Sequence, residues 1–149
     1  MLLKNRIRVA VLAGTAIVLA ACSDLPTGVN DPDDDAPPPA LNQAITTDDA
    51  VDRIQLTSQQ DATYPTQLNV CLEIRTSSGW WKGLGVGRSE PTVEGEGQGN
   101  LVCARAEPGT VTFNFWKAKL FGVHTRVGAT TVNLSAYAGH RILFSWQQD

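Results

Sequence analysis

From Leu68 onward apolar residues recur at every second position and rarely at helical spacing, which commits this part of the chain to half-buried strands. Leu68, Val70, Leu72 and Ile74 alternate with Asn69, Cys71, Glu73 and Arg75. Val111, Phe113 and Phe115 share one face of residues 110–116, and Ile142, Phe144 and Trp146 share one face of residues 141–146. Residues 101–106 and 130–134 read as two further strands. Pro108-Gly109 and Ala138-Gly139-His140 supply turns, and residues 94–100 form a glycine-rich loop. Residues 80–88 read as a strand in which Gly83, Gly85 and Gly87 leave a bare strip of backbone, suited to a neighbour's ring or a closely approaching chain. About six to eight short strands without a helix predict an antiparallel β-sandwich.

The first residues carry a different pattern. Lys4, Arg6 and Arg8 precede an apolar, small-residue run over 9–21, the layout of a secretory signal. The run is too short to cross a hydrocarbon core of about 30 Å, which takes roughly 20 residues. Leu19-Ala20-Ala21-Cys22 resembles the lipobox of bacterial lipoproteins. That resemblance implies removal of 1–21, diacylglyceration of the Cys22 thiol and acylation of the new amino terminus. Two or more acyl chains anchor stably because each buried CH₂ contributes about 0.8 kcal/mol. In Gram-negative members an aspartate directly after the cysteine favours the inner membrane; here Ser23 holds that position and Asp24 follows, which implies the outer membrane, facing the periplasm or the surface.

Between residues 22 and 61 the composition changes again. Nine aspartates stand against one arginine, Arg53, around a Pro37-Pro38-Pro39 run. Such a segment buries too little apolar surface to offset the entropy of ordering, so it reads as a disordered, extended tether. Asp31 to Asp35 lack the glycine and glutamate spacing of a calcium loop and read as solvated charge. Thr47 followed by Asp48, Asp49, Val51, Ile54 and Leu56 has the cap and first-turn acids of a short helix, a collar before the domain. Residues 62–149 then form the domain, with eight basic and six acidic side chains. That charge is too thinly spread to neutralise a row of phosphates, which argues against nucleic acid.

A domain of this length supports one thin core, and small exported domains are commonly stapled. With Cys22 assigned to lipid, Cys71 and Cys103 remain and are expected to form a disulfide. Closing a loop of about 33 residues stabilises by roughly 3–4 kcal/mol on the chain-entropy model. A metal or redox pair would show C-x-x-C spacing or neighbouring histidine. The expected class is thus all-β, a small antiparallel β-sandwich of immunoglobulin or prealbumin type with one disulfide, after a disordered tether. Pro108-Gly109-Thr110-Val111-Thr112-Phe113, Thr131-Val132-Asn133-Leu134 and Ala138-Gly139 are similar to the PEGA-like β-sandwich domains of envelope proteins, which implies a surface display or adaptor module without catalysis.

Catalysis finds little support in the side chains. His124 and His140 lie beside turns or strand ends without an evident nucleophile or orienting acid, and Glu94 and Glu96 sit on a glycine-rich loop that cannot hold two carboxylates at a fixed separation. The chain therefore reads as a non-enzyme with no metal or cofactor. The binding candidates are Trp80, Trp81, Lys82 and Trp116: adjacent tryptophans on a strand face opposite ways, so one of Trp80 and Trp81 is expected outside, where it can stack on a sugar, dock a protein or meet a membrane interface. The expected function is a lipid-anchored envelope protein that binds a protein or glycan partner. The alternative is a periplasmic lysozyme inhibitor, a family to whose tryptophan-lysine-glycine motif Ser78-Gly79-Trp80-Trp81-Lys82-Gly83 is similar.

Overall fold

The structure, a computed structural model, describes residues 36–77 and 80–148. The expected signal, the expected lipidation site Cys22 and the acidic run up to Asp35 lie outside the described residues, as do Ser78 and Gly79. Nine strands follow in order: β1 (Asn42–Thr46), β2 (Asp52–Gln60), β3 (Leu68–Ile74), β4 (Lys82–Val86), β5 (Val93–Gly95), β6 (Leu101–Ala106), β7 (Thr110–Ala118), β8 (His124–Asn133) and β9 (His140–Gln148). They form a five-stranded sheet, β1-β2-β9-β3-β6, and a four-stranded sheet, β5-β4-β7-β8. The sandwich is antiparallel throughout except where β9 runs parallel to β3.

Period-2 alternation places the core between the sheets. Ile54 and Leu56 of β2, Leu68, Val70 and Leu72 of β3 and Ile142, Phe144 and Trp146 of β9 meet Leu84, Val93, Phe113, Phe115 and Val127 of the other sheet. Phe144 packs on Phe113 at 4.6 Å and on Phe115 at 5.6 Å between ring centroids, and Trp146 meets Phe115 edge-on at 6.1 Å. Each such buried ring or branched chain contributes about 1.5–3 kcal/mol by leaving water.

The domain begins earlier than the composition indicates. Residues 42–60, expected as tether and collar, form β1 and β2, and Pro37–Asp149 is one compact unit. The expected helix from Thr47 does not form, because Ile54 and Leu56 stand two residues apart and reach the core only from a strand. Thr47 instead closes the β1–β2 turn: its N–H donates to the Asp52 carbonyl (3.0 Å), and its hydroxyl donates to Asp49 Oδ1 (2.7 Å). The proline run is docked as well, with the Tyr137 hydroxyl donating to the Pro39 carbonyl at 2.8 Å.

Cys71 and Cys103 form the expected disulfide, directly opposite one another on β3 and β6 with Cα atoms 4.0 Å apart. It lies on the outer face of the five-stranded sheet, since Leu68, Val70 and Leu72 take the inner face, and it fastens the terminal strand β6 to the rest. At the opposite edges a bulge in β8 turns the Val127 carbonyl toward the β1–β2 turn, where it accepts the Asp48 N–H at 2.6 Å and ties the two sheets together.

These boundaries are testable by truncation. A chain beginning at Pro37 is expected to melt cooperatively at the same temperature as one beginning at Ser23, whereas one beginning at Ala62 lacks Ile54 and Leu56 and is expected to show no cooperative transition by circular dichroism. A cooperative melt of the shorter chain would return residues 42–60 to the tether.

Candidate functional site

At one pole of the sandwich, where β4 begins, β7 ends and β8 begins, the candidate residues separate by role. Trp80 is 50% exposed, just before β4. Trp81 is half-buried: its ring lies flat on the His124 ring, 3.8 Å between centroids and 4° between planes, and its indole N–H donates to Glu94 Oε2 at 3.2 Å. The same ring covers Gly83, where an added Cβ would meet Trp81 Cη2 at 2.6 Å. Gly85 is covered by chain too, a Cβ there falling 2.5 and 2.6 Å from the carbonyl oxygens of Arg88 and Glu90. Gly83 and Gly85 therefore seat the protein's own ring and loop, and Gly87 alone of the strip stands open.

Lys82 leaves the expected contact surface. It faces inward, only 3% exposed, with its ammonium 5.6 Å from the Trp146 ring centroid. Burial pushes its pKa down, opposed by the Asp52 charge. Across the β4–β7 pair stands Lys117, whose ammonium donates to Asp49 Oδ2 (2.7 Å) and Asp52 Oδ2 (3.1 Å). Burial lowers the Lys117 pKa, but those two hydrogen bonds and charges outweigh it and the net shift is upward. The Lys117 hydrogen bond is the largest influence on Asp49, whose carboxyl is pulled down to about 2. This cluster plugs the pole from inside.

Trp116 is half-buried, the cross-strand neighbour of Gly83, and among the described residues its indole N–H has no acceptor. His124 is held by the Trp81 stack, and His140 Nδ1 lies 3.1 Å from the Ala138 carbonyl with its ring edge-on to Tyr137. Glu94 serves Trp81, and the Glu96 carbonyl accepts from Asn100 Nδ2 at 3.0 Å. Of the four binding candidates, Trp80 alone presents a largely open ring.

The β7–β8 loop adds what the sequence reading missed. Phe121 is 99% exposed and Val123 59%. Phe121 has φ 71° and ψ 21°, third in a turn closed by the Gly122 N–H to the Lys119 carbonyl (3.1 Å). That left-handed position in a turn belongs by preference to glycine or asparagine. The loop and Trp80 lie at one pole because the Ala118 N–H donates to the Trp81 carbonyl at 3.0 Å. The signal available beforehand was the apolar run Leu120-Phe121-Gly122-Val123, which reads as strand continuation until the glycine is given weight. Lys119 and Arg126 flank it, and residues 108–148 contain no aspartate or glutamate. The result is an exposed apolar tip on a loop flanked in sequence by Lys119 and Arg126, with Glu94 and Asp49 at the same pole.

No family model, curated protein or solved structure matches this chain.

Two outcomes follow, the first joining Asp49 at this pole with Asp61 at the other, where its N–H donates to the Gly139 carbonyl. Asp49 and Asp61 both have folded pKa values below the ordinary carboxylate value of about 3.9, Asp61 through hydrogen bonds from Thr63 and Asn69 with Arg141 beside it. Their stabilisation is complete above that value and is lost as pH falls through the folded values. The melting temperature is expected to drop below about pH 4, and an Asp49→Asn, Asp61→Asn pair to flatten that acid limb; an unchanged limb contradicts the assignment. Separately, Trp81→Ala is expected to cost about 1–3 kcal/mol in urea unfolding, while Trp80→Ala falls within about 0.5 kcal/mol of wild type. The reverse order would exchange the roles of the two rings.

Proposed function

We propose that this chain is a lipid-anchored envelope lipoprotein, held at the outer membrane through Cys22, whose non-catalytic β-sandwich binds a protein or glycan partner with the tip formed by Trp80, Phe121 and Val123. Phe121 carries the reading. A non-glycine residue in a left-handed turn costs roughly 1–2 kcal/mol, and a fully exposed phenyl ring offsets none of it by burial. Strain and apolar exposure at one residue point to a contact made outside the folded chain. The convex shape favours a protein pocket over a sugar platform, which would need a flat ring flanked by polar groups. Strand β1 starts at the pole away from the tip, where Asn42 pairs with Thr57 and Tyr137 holds Pro39.

The alternative, a periplasmic lysozyme inhibitor, gains one observation, a protruding loop able to enter a cleft, and loses another, since the lysine of its motif, Lys82, is buried. A turbidity assay with purified lysozyme separates the two. Unchanged lysis at equimolar domain supports the first reading; inhibition abolished by Phe121→Ser supports the second.

The primary reading is tested in cells. Cys22→Ala is expected to abolish incorporation of a palmitate analogue and to leave the precursor uncleaved. A photo-crosslinking residue at position 121 is expected to give one discrete adduct that the same group at Gln59 does not give. Labelling that survives Cys22→Ala overturns the anchor, and equal crosslinking at both positions overturns the tip.

A further inference from the structure

Strand β6 ends the five-stranded sheet and pairs only with β3. Cys71 and Cys103 face each other at 4.0 Å between Cα atoms, the close spacing of a non-hydrogen-bonded antiparallel pair. In such a pair both residues turn their backbone N–H and C=O groups away from each other, so those of Cys103, and at the two-residue period those of Leu101 and Arg105, point to the open side. Among the described residues no backbone hydrogen bond beyond the β3 ladder engages these three. Natural edges are blunted by lysine, proline, bulges or cover. β6 has neither lysine nor proline, its register with β3 is regular, and Leu101 is 50% exposed.

What should cover β6 is missing. In the facing sheet β5 has only three residues and its pairing with β4 stops at Leu84. Beyond that point a cleft of about 370 Å³ opens between the sheets, floored by Val86, Ala104, Ala106 and Val111, with Arg88 at its mouth and Arg105 on the rim strand, its side chain on the outer face with Cys103. Arg105 lies over the Tyr64 ring at 5.3 Å, and the one carboxylate at the mouth, Glu107, already accepts from Gln67 Nε2 at 2.7 Å. Two arginines against Glu107, whose charge the neutral Gln67 leaves in place, make this edge net positive, with Arg88 at the mouth and Arg105 on the outer face, and the small alanine side chains leave the volume for apolar groups brought by another chain.

We propose that β6 is a strand-addition site: an extended peptide segment with alternating apolar and acidic side chains pairs with the backbone of Leu101, Cys103 and Arg105, sets its apolar side chains into the cleft and turns its carboxylates to Arg105 on the outer face, with Arg88 at the cleft mouth adding to the positive field. Main-chain bonds supply affinity in this mode, and the pockets beside alternate residues supply specificity. The site lies at the pole opposite the tip, since the cleft takes the Val86 end of β4 and the tip the Lys82 end. It stands independently of the tip.

The test uses the mature protein with a blocked hexapeptide of alternating valine and glutamate, read by amide-resolved hydrogen exchange and fluorescence anisotropy. Binding is expected to slow exchange at the amides of Leu101, Cys103 and Arg105. Methylating alternate backbone nitrogens of the peptide, or replacing glutamate by lysine, is expected to weaken binding at least tenfold. Arg88→Glu is expected to weaken it to the same degree without touching the β3 ladder, and Arg105→Pro to abolish it, because the Arg105 N–H points outward. Phe121→Ser leaves it unchanged, which separates failure here from failure of the tip. No protection of the three amides at millimolar peptide overturns the proposal. So does protection that rises with protein concentration without peptide, because the edge is then taken by a second copy.

Discussion

The placement of β9 decides this fold. The last strand of the chain runs between β2 and β3, antiparallel to one and parallel to the other, and delivers Ile142, Phe144 and Trp146 to the centre of the core. Phe144 and Trp146 bind the two sheets by ring contacts with Phe113 and Phe115. Without β9 the five-stranded sheet divides into a β1–β2 hairpin and a β3–β6 pair, neither of which makes a stable sheet alone. Such long-range closure makes assembly depend on residues separated by most of the domain, and folding is correspondingly slow for the chain length.

Around that rigid centre the two poles differ in chemistry. At one, Lys117, Asp49 and Asp52 join the β1–β2 turn to β7, while Lys82 rests near Trp146. A buried ion pair adds little net stability over apolar packing, but removing one partner leaves an uncompensated charge and costs about 3–5 kcal/mol. It therefore fixes geometry, and the exposed tip stands directly outside it. At the other pole the sheets part beside the short β5, leaving small side chains and two arginines around open volume. The stapled edge β6 borders that gap and stays in place because Cys103 is bonded to Cys71.

Much of this was legible in period-2 alternation. The strands at 68–74, 101–106, 110–116 and 141–146, the Pro108-Gly109 turn and the disulfide followed from local pattern and cysteine count, and the structure bears them out, whereas residues 94–95, expected in a loop, belong to β5 and the strand expected from Thr130 already starts at His124. The start of the domain was not legible because composition averages over residues whose partners are remote. Asp52 and Asp61 read as solvated tether charge, yet their cations are Lys117 and Arg141. Trp81 and Lys82 were misplaced for a related reason: alternation says that neighbours face opposite ways but not which face is empty, and Gly83 had already reserved one face for the Trp81 ring. Phe121 escaped notice because nothing in a short apolar run separates a strand from a loop that exposes it.

The central claim is that recognition belongs to the tip and stability to the β9 core. Hydrogen exchange of the protein, measured alone and on envelope membranes, tests it most directly. The account predicts slowed exchange over residues 119–124 on the membranes, with β2, β3 and β9 unchanged. Unaltered exchange at the tip, or a change centred on those three strands, would contradict it.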